Sequence, residues 1–326
     1  MVSHGSVSPS FVSSHCAPSD SAGRRTAFCA LLLVALCWGA SFPILKVAVQ
    51  AFTPAVALGI RFGLAAMCML WGVARLPHTA ASRRAGVALG LANAAIFGLV
   101  AQALQVSNSP RVGFLVGTSV LLVPFFNAGL RRASLQRHHL LAAALSCGGL
   151  GLFSHFDLTS LSRADLQALG AAALFALAIL GLHAATVQPT VQAKVLLFYQ
   201  FLTTAVCWGG VAVAQALRAG LPFATGRSDC PSLWAWAALL YGALVPTVLC
   251  QSLLTRYQKV VGPSGAAAIF PLQSVFNYAI AVGLFGEAVD AQTVAGGCLI
   301  LAAALSAGGV GGRQQTRHER VPQGAL

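Results

Sequence analysis

Two basic residues stand where a chain of this composition has least reason to place them. Lys46 lies in the apolar run 31–50, LLLVALCWGASFPILKVAVQ, and Arg61 lies about a third of the way along the next run, 54–73. A charged side chain near the centre of a bilayer costs about 2.5–3.5 kcal/mol on insertion scales, so it faces protein or a water-filled cavity in preference to lipid. Two cations facing one cavity with no carboxylate beside them would draw an anionic or carboxylate-bearing solute through charge-assisted hydrogen bonds. Trp38, Ser41, Asn93, Gln102, Gln200, Gln251 and Gln273 also fall within apolar runs, and with the two cations they make up the candidate substrate-binding set. Each has a structural alternative. Lys46 is close enough to a helix end for its stem to lift the ammonium to the interface. Arg61 could bond carbonyls at a neighbouring helix end. Asn and Gln commonly tie membrane helices together for about 0.6–2 kcal/mol each.

Such residues need long apolar elements to hold them, and the chain supplies little else. Of its 326 residues, 57% are hydrophobic and 8% charged, too little polar surface for a soluble globule of this size. About 20 apolar residues cross a hydrocarbon core. Runs of that order predict spans over 27–50, 54–73, 86–107, 112–130 and 140–153, then 164–187, 194–217, 233–258, 264–285 and 291–309. The expected fold is an all-α polytopic membrane protein with about ten transmembrane helices. Five spans per half leave the second half upside down relative to the first, which is the arrangement of two inverted five-helix repeats. Short echoes agree with it. Ser109-Pro110 ahead of the fourth span parallels Gly262-Pro263 ahead of the ninth, and Arg61-Phe62 parallels Gln200-Phe201. The expected organisation is a disordered cytoplasmic tail over 1–26, a first repeat over 27–154, a second over 164–309 and a cytoplasmic tail over 310–326.

The formal charge of +13 is explained by topology, because Lys and Arg of short loops collect on the cytoplasmic side. With the N-terminus inside, the inner segments hold Arg24, Arg25, Arg75, Arg83, Arg84, Arg131, Arg132, Arg137, Lys194, Arg256, Lys259, Arg313, Arg317 and Arg320. The outer ones hold only Arg111, Arg163, Arg218 and Arg227, with Asp157, Asp165, Asp229, Glu287 and Asp290 beside them. Both termini are thus expected in the cytoplasm of a cell whose plasma membrane the chain spans. No nucleic-acid partner is needed to account for the charge.

Several chemistries lack their residues. The nine cysteines are scattered without a Cys-x-x-Cys pair and read as small hydrophobes, and no metal-ligand cluster is visible. No nucleotide-binding loop occurs. Clustered aspartates for prenyl transfer, and a paired Asp or a Ser and His at helix depth for proteolysis, are missing too. An enzyme is therefore not expected, nor a cofactor. No Asp or Glu falls deep in a span, so the usual carboxylate proton relay is absent; only His183 titrates in a useful range.

The order of several short motifs resembles a known family. Trp38-Gly39-Ala40-Ser41-Phe42 with Lys46, Pro54 and Arg61-Phe62 is similar to the opening of an EamA-type carrier of the drug/metabolite transporter superfamily. Gly262-Pro263 with small residues after it, then Leu284-Phe285-Gly286-Glu287 and a Gly-rich last span, resembles the signature that closes each repeat. The resemblance runs over about 27–309 and implies two inverted repeats around a cavity that passes small metabolites such as amino acids. One departure is the segment 130–139, which carries Arg131, Arg132 and Ala133 where the family often has an acidic residue, so Glu287 has no partner in the first half. The expected function is a secondary transporter moving an amino acid or related carboxylate-bearing solute, outward, by alternating access. A non-transporting scaffold or assembly factor is the alternative. The oligomeric state is not legible.

Overall fold

The computed structural model describes residues 21–107, 109–131, 137–153, 161–219, 232–285 and 291–303, and no strand occurs among them. The first half carries α1 (Ser21–Ala51), α2 (Pro54–Val73), α3 (Ala80–Val106), α4 (Ser109–Gly117), α5 (Ser119–Arg131) and α6 (Arg137–Phe153). The second carries α7 (Arg163–Thr186), α8 (Ala193–Ala219), α9 (Leu233–Gly242), a π-helical stretch (Ala243–Leu249), α10 (Cys250–Ile269), α11 (Leu272–Phe285) and α12 (Ala291–Ala303). The two tails over 1–20 and 304–326, together with Asp157, Cys230 and Glu287, lie outside the described residues.

Short polar caps separate the apolar runs. Thr53, Thr79, Ser162 and Ser232 each accept a hydrogen bond from the first turn of the helix that follows, with Pro54 at the start of α2. Such a cap is worth about 1 kcal/mol and fixes where the helix begins. Among the described residues seven helical stretches are long and apolar enough to cross a bilayer, two of them, Arg111–Leu130 and Leu233–Gly262, running over the α4–α5 and α9–α10 joins, and Leu140–Leu152 and Ala291–Ala303 are shorter apolar helices. Large apolar side chains point outward, Trp71 at 92% exposure and Leu217 at 80% among them, which suits a lipid surround and no aqueous one. Cys29, Cys68 and Cys298 share this outward face, whereas Cys250 is buried.

The spans expected over 112–130 and 264–285 are each broken. At Thr118 the hydroxyl donates to the Leu115 carbonyl at 2.6 Å and the backbone N–H is shared between Phe114 and Leu115, ending α4. At Phe270-Pro271 the proline has no N–H with which to continue α10. Each break comes eight residues after a proline, Thr118 after Pro110 and Pro271 after Pro263. Just before the second of those prolines, Gly262 takes φ 76° and ψ 168°, a region closed to residues with a Cβ, and α10 turns there.

The halves interlock. α2 lies along α8, α3 along α7 and α8, and α1 along α10 and α11. Close approach is set by small residues: a Cβ added at Gly86 would come within 2.6 Å of the Leu196 carbonyl oxygen, and one at Gly90 within 2.8 Å of that of Gln200. This is the small-xxx-small contact expected from their spacing.

Polar contacts between loops and helix ends of the two halves lie at two opposite ends. At one, Thr79 Oγ1 donates to the Thr190 carbonyl at 2.9 Å and the Gln192 N–H to Ser82 Oγ at 2.8 Å, joining the α2–α3 and α7–α8 loops. At the other, Arg111 grips Asp165 with Nε at 2.7 Å and Nη2 at 2.8 Å, and Gln167 Nε2 donates to Gln102 Oε1 at 3.1 Å. Charge counting puts the first set of loops on one side of the bilayer and the second set on the other, and each contact joins groups of the same side.

Asp165 is also the third residue of the α7 capping box, accepting from the Ser162 N–H at 2.8 Å and from its hydroxyl at 2.9 Å. Asp165→Asn keeps the shape but loses the charge that Arg111 binds, and is expected to lower stability by about 1–3 kcal/mol. Thermal unfolding of the purified protein in detergent measures this; an unchanged midpoint would mean that the ion pair adds nothing.

Candidate functional site

Midway along the helices, α1, α2, α3, α4, α7 and α11 surround a cavity of about 60 Å³. Its polar lining is Trp38, Ser41, Arg61 and Gln273. Aromatic walls come from Phe42, Phe97 and Phe175, and aliphatic ones from Leu45, Ile96, Val100 and Val116. Trp38, Arg61 and Phe175 sit seven or more residues from either end of their helices, which at about 1.5 Å per residue is roughly 10 Å or more from the nearer helix end.

Arg61 is 3% exposed, yet no carboxylate balances it among the described residues, where Asp165 is the one acidic side chain and is held by Arg111 at a helix end. Its Nε donates to Thr247 Oγ1 at 3.0 Å. Its guanidinium carbon lies 4.7 Å from the Phe97 ring centroid and 5.4 Å from that of Phe62, a cation–π seat. The two Nη groups have no hydrogen bond among the described residues, and the side chain borders the cavity. A guanidinium cannot shed its proton at physiological pH, so the charge is permanent.

The seat of Arg61 follows from a proline. Pro246 has no N–H, so the Gly242 carbonyl four residues earlier loses the partner a regular helix would give it. The Thr247 hydroxyl donates to that carbonyl at 2.7 Å and, as acceptor, takes the Arg61 Nε–H. The backbone widens into a π-helical turn over the same residues. Trp38 reads the stretch as well, its Nε1–H donating to the Pro246 carbonyl at 3.0 Å, and the Tyr241 hydroxyl donates to the Cys37 carbonyl at 3.3 Å. A Cβ at Gly242 would stand 3.4 Å from Arg61 Cδ, so the glycine leaves room for the arginine stem.

Around this centre Trp38 packs on Phe175 and Phe270 with centroids 5.8 and 5.1 Å apart. Ser41 donates to the Trp38 carbonyl at 2.7 Å. Gln273 lies in the first turn of α11, and a Cβ at Gly39 would fall 2.5 Å from its carbonyl oxygen, so α1 and α11 touch at the cavity wall.

Four of the nine candidate residues, Trp38, Ser41, Arg61 and Gln273, come together here. The other five are placed elsewhere. Lys46 Nζ donates to the Ser107 carbonyl at 3.1 Å, at the C-terminal end of α3 where a cation is favoured. Asn93 Nδ2 donates to Thr204 Oγ1 at 3.3 Å between α3 and α8. Gln102 is exposed and paired with Gln167. Gln200 is buried in the α3–α8 contact and Gln251 in α10, and the Oε1 of each lacks a partner among the described residues. Sequence reading passed over Phe97, Phe175 and Thr247. The phenylalanines carry no signal against an apolar background, whereas a hydroxyl directly after a mid-span proline is a legible clue to a repaired carbonyl.

Residues 25–155 match the EamA-like transporter family. This part of the chain is similar to EamA-like transporters. It contains Trp38, Ser41 and Arg61, so three of the four polar groups at the cavity belong to it. An uncharacterized transporter from Archaeoglobus fulgidus is 23% identical over 278 residues, covering 84% of this chain and 83% of that protein. A protein of known crystal structure shares the fold with TM-score 0.68 at 15% identity, over 91% of this chain and 99% of that one.

Proposed function

We propose that the protein is a secondary transporter that carries small carboxylate-bearing metabolites, amino acids or their relatives, out of the cell by alternating access. The observation that carries this reading is Arg61: a permanent cation seven residues inside its helix, without a counter-ion among the described residues, whose side chain borders a cavity. An isolated charge in that position is costly unless something else binds it part of the time. A cavity of about 60 Å³ takes a few waters, so a metabolite enters only when the surrounding helices part.

The ends of the bundle suit such a motion. Cross-half contacts at Thr79–Thr190 and Ser82–Gln192 on one side, and at Arg111–Asp165 on the other, would close the cavity from each side in turn. The matching breaks after Pro110 and Pro263, and the pairing of α1, α2 and α3 with helices of the second half, support two repeats of opposite orientation over 27–154 and 164–309. The loop charges support a plasma-membrane protein with both termini in the cytoplasm.

Counterflow in proteoliposomes tests the proposal. Vesicles loaded with a panel of unlabelled carboxylates should accumulate the labelled counterpart of at least one, and the exchange should need higher substrate concentrations with Arg61→Gln. Silence across the panel in both gradient directions would favour a scaffold that moves nothing.

A further inference from the structure

We infer that the cavity selects net-anionic monocarboxylates with an apolar body over zwitterionic amino acids; this rests on the carrier reading above and narrows its substrate class. Arg61 is the one charged side chain that lines the cavity, and its Nη groups are available to a carboxylate as a fork. Nothing there offers the opposite charge. Asp165 is committed to Arg111 at the helix end.

The ammonium of an α-amino acid would sit within a few ångströms of its own carboxylate and therefore near the guanidinium, where two like charges repel in surroundings that screen them poorly. Aromatic faces could hold an ammonium in other sites, but here three of the four aromatic side chains of the lining already meet a ring or the guanidinium, leaving Phe42. The guanidinium itself lies over Phe97 at 4.7 Å, and Trp38 is packed by Phe175 and Phe270 at 5.8 and 5.1 Å. A second carboxylate would fare no better than an ammonium, for the rest of the lining is aromatic or aliphatic apart from Ser41, Gln273 and the Trp38 indole, whose N–H already donates to Pro246. An apolar body suits that lining, and Arg61 holds its one charge.

A series of ligands that vary charge and bulk tests this on the unmodified, full-length protein in nanodiscs, by calorimetric titration near neutral pH. Phenylacetate, phenylalanine, phenethylamine, succinate and acetate are the probes. Phenylacetate is expected to bind at least tenfold tighter than each of the others, acetate being weaker for lack of the ring. Arg61→Gln should bring phenylacetate and phenylalanine to within about twofold of each other. Phenylalanine or succinate binding as tightly as phenylacetate overturns the selectivity and leaves the carrier reading standing. No binding by any carboxylate, joined to silence in counterflow, overturns both. The ligand series requires no variant, so a poorly folding Arg61→Gln does not shelter the inference.

Discussion

Arg61→Gln is expected to separate function from stability. The charge-assisted contact to a substrate carboxylate is worth about 1.5–3 kcal/mol, so the apparent substrate constant should rise roughly ten- to a hundredfold. The folded protein should lose nothing and gain a little. No carboxylate is orphaned by the change, the new amide can still donate to Thr247 Oγ1, and an uncompensated cation is removed from mid-depth. Lys46→Gln is the contrast. It removes a cation from the end of α3, which costs about 0.3–1 kcal/mol, and it leaves the substrate constant alone because Lys46 is tied to Ser107 outside the cavity. Parallel transport kinetics and thermal unfolding of both variants decide the matter; a marked fall in stability for Arg61→Gln would assign the residue to structure.

Gly39→Ala should be strongly damaging for a single added methyl. The added Cβ would stand 2.5 Å from the Gln273 carbonyl oxygen, 3.0 Å from Phe276 Cβ and 3.1 Å from the Asn277 nitrogen, so backbone atoms of α11 would have to move. Overpacking of this sort costs about 1–3 kcal/mol or more. The same shift separates Trp38 and Ser41 on α1 from Gln273 on α11, so transport should fall with stability. Gly63→Ala is the control, since a Cβ there meets nothing within 4 Å. Equal expression, stability and transport for the two variants would show that α1 and α11 are not pressed together at the cavity.

Much of this fold was legible because lipid imposes a coarse rule. A span must be apolar for about 20 residues, and composition alone locates it. The places that escaped are those where helices stop being regular. Thr118 ends α4 through its own hydroxyl, a choice that its sequence neighbours do not announce. The echo of Ser109-Pro110 in Gly262-Pro263 could be seen, but not that the backbone breaks eight residues beyond each proline. For the site, residue type was informative and partners were not. Lys46 and Arg61 are both cations within apolar runs, told apart in the sequence only by depth. Which of them meets a cavity depends on the reach of the side chain and on what lies across the interface: a helix-end carbonyl for Lys46, a hydroxyl and a ring for Arg61. Asn93 and Gln102 went to neighbouring helices for the same reason, as amides in apolar surroundings take the nearest partner.

The chain of contacts from the Gly242 carbonyl through Thr247 to Arg61 means that these positions cannot be edited separately. Restoring an amide at 246 would give the carbonyl a second donor and relax the wide turn that aims the hydroxyl; a methyl at 242 would crowd the arginine stem; valine at 247 would strand both ends. A defect in one helix has thus become the fixture that aims a charge on another, and any redesign of the pocket for a different solute must begin by choosing a new fixture.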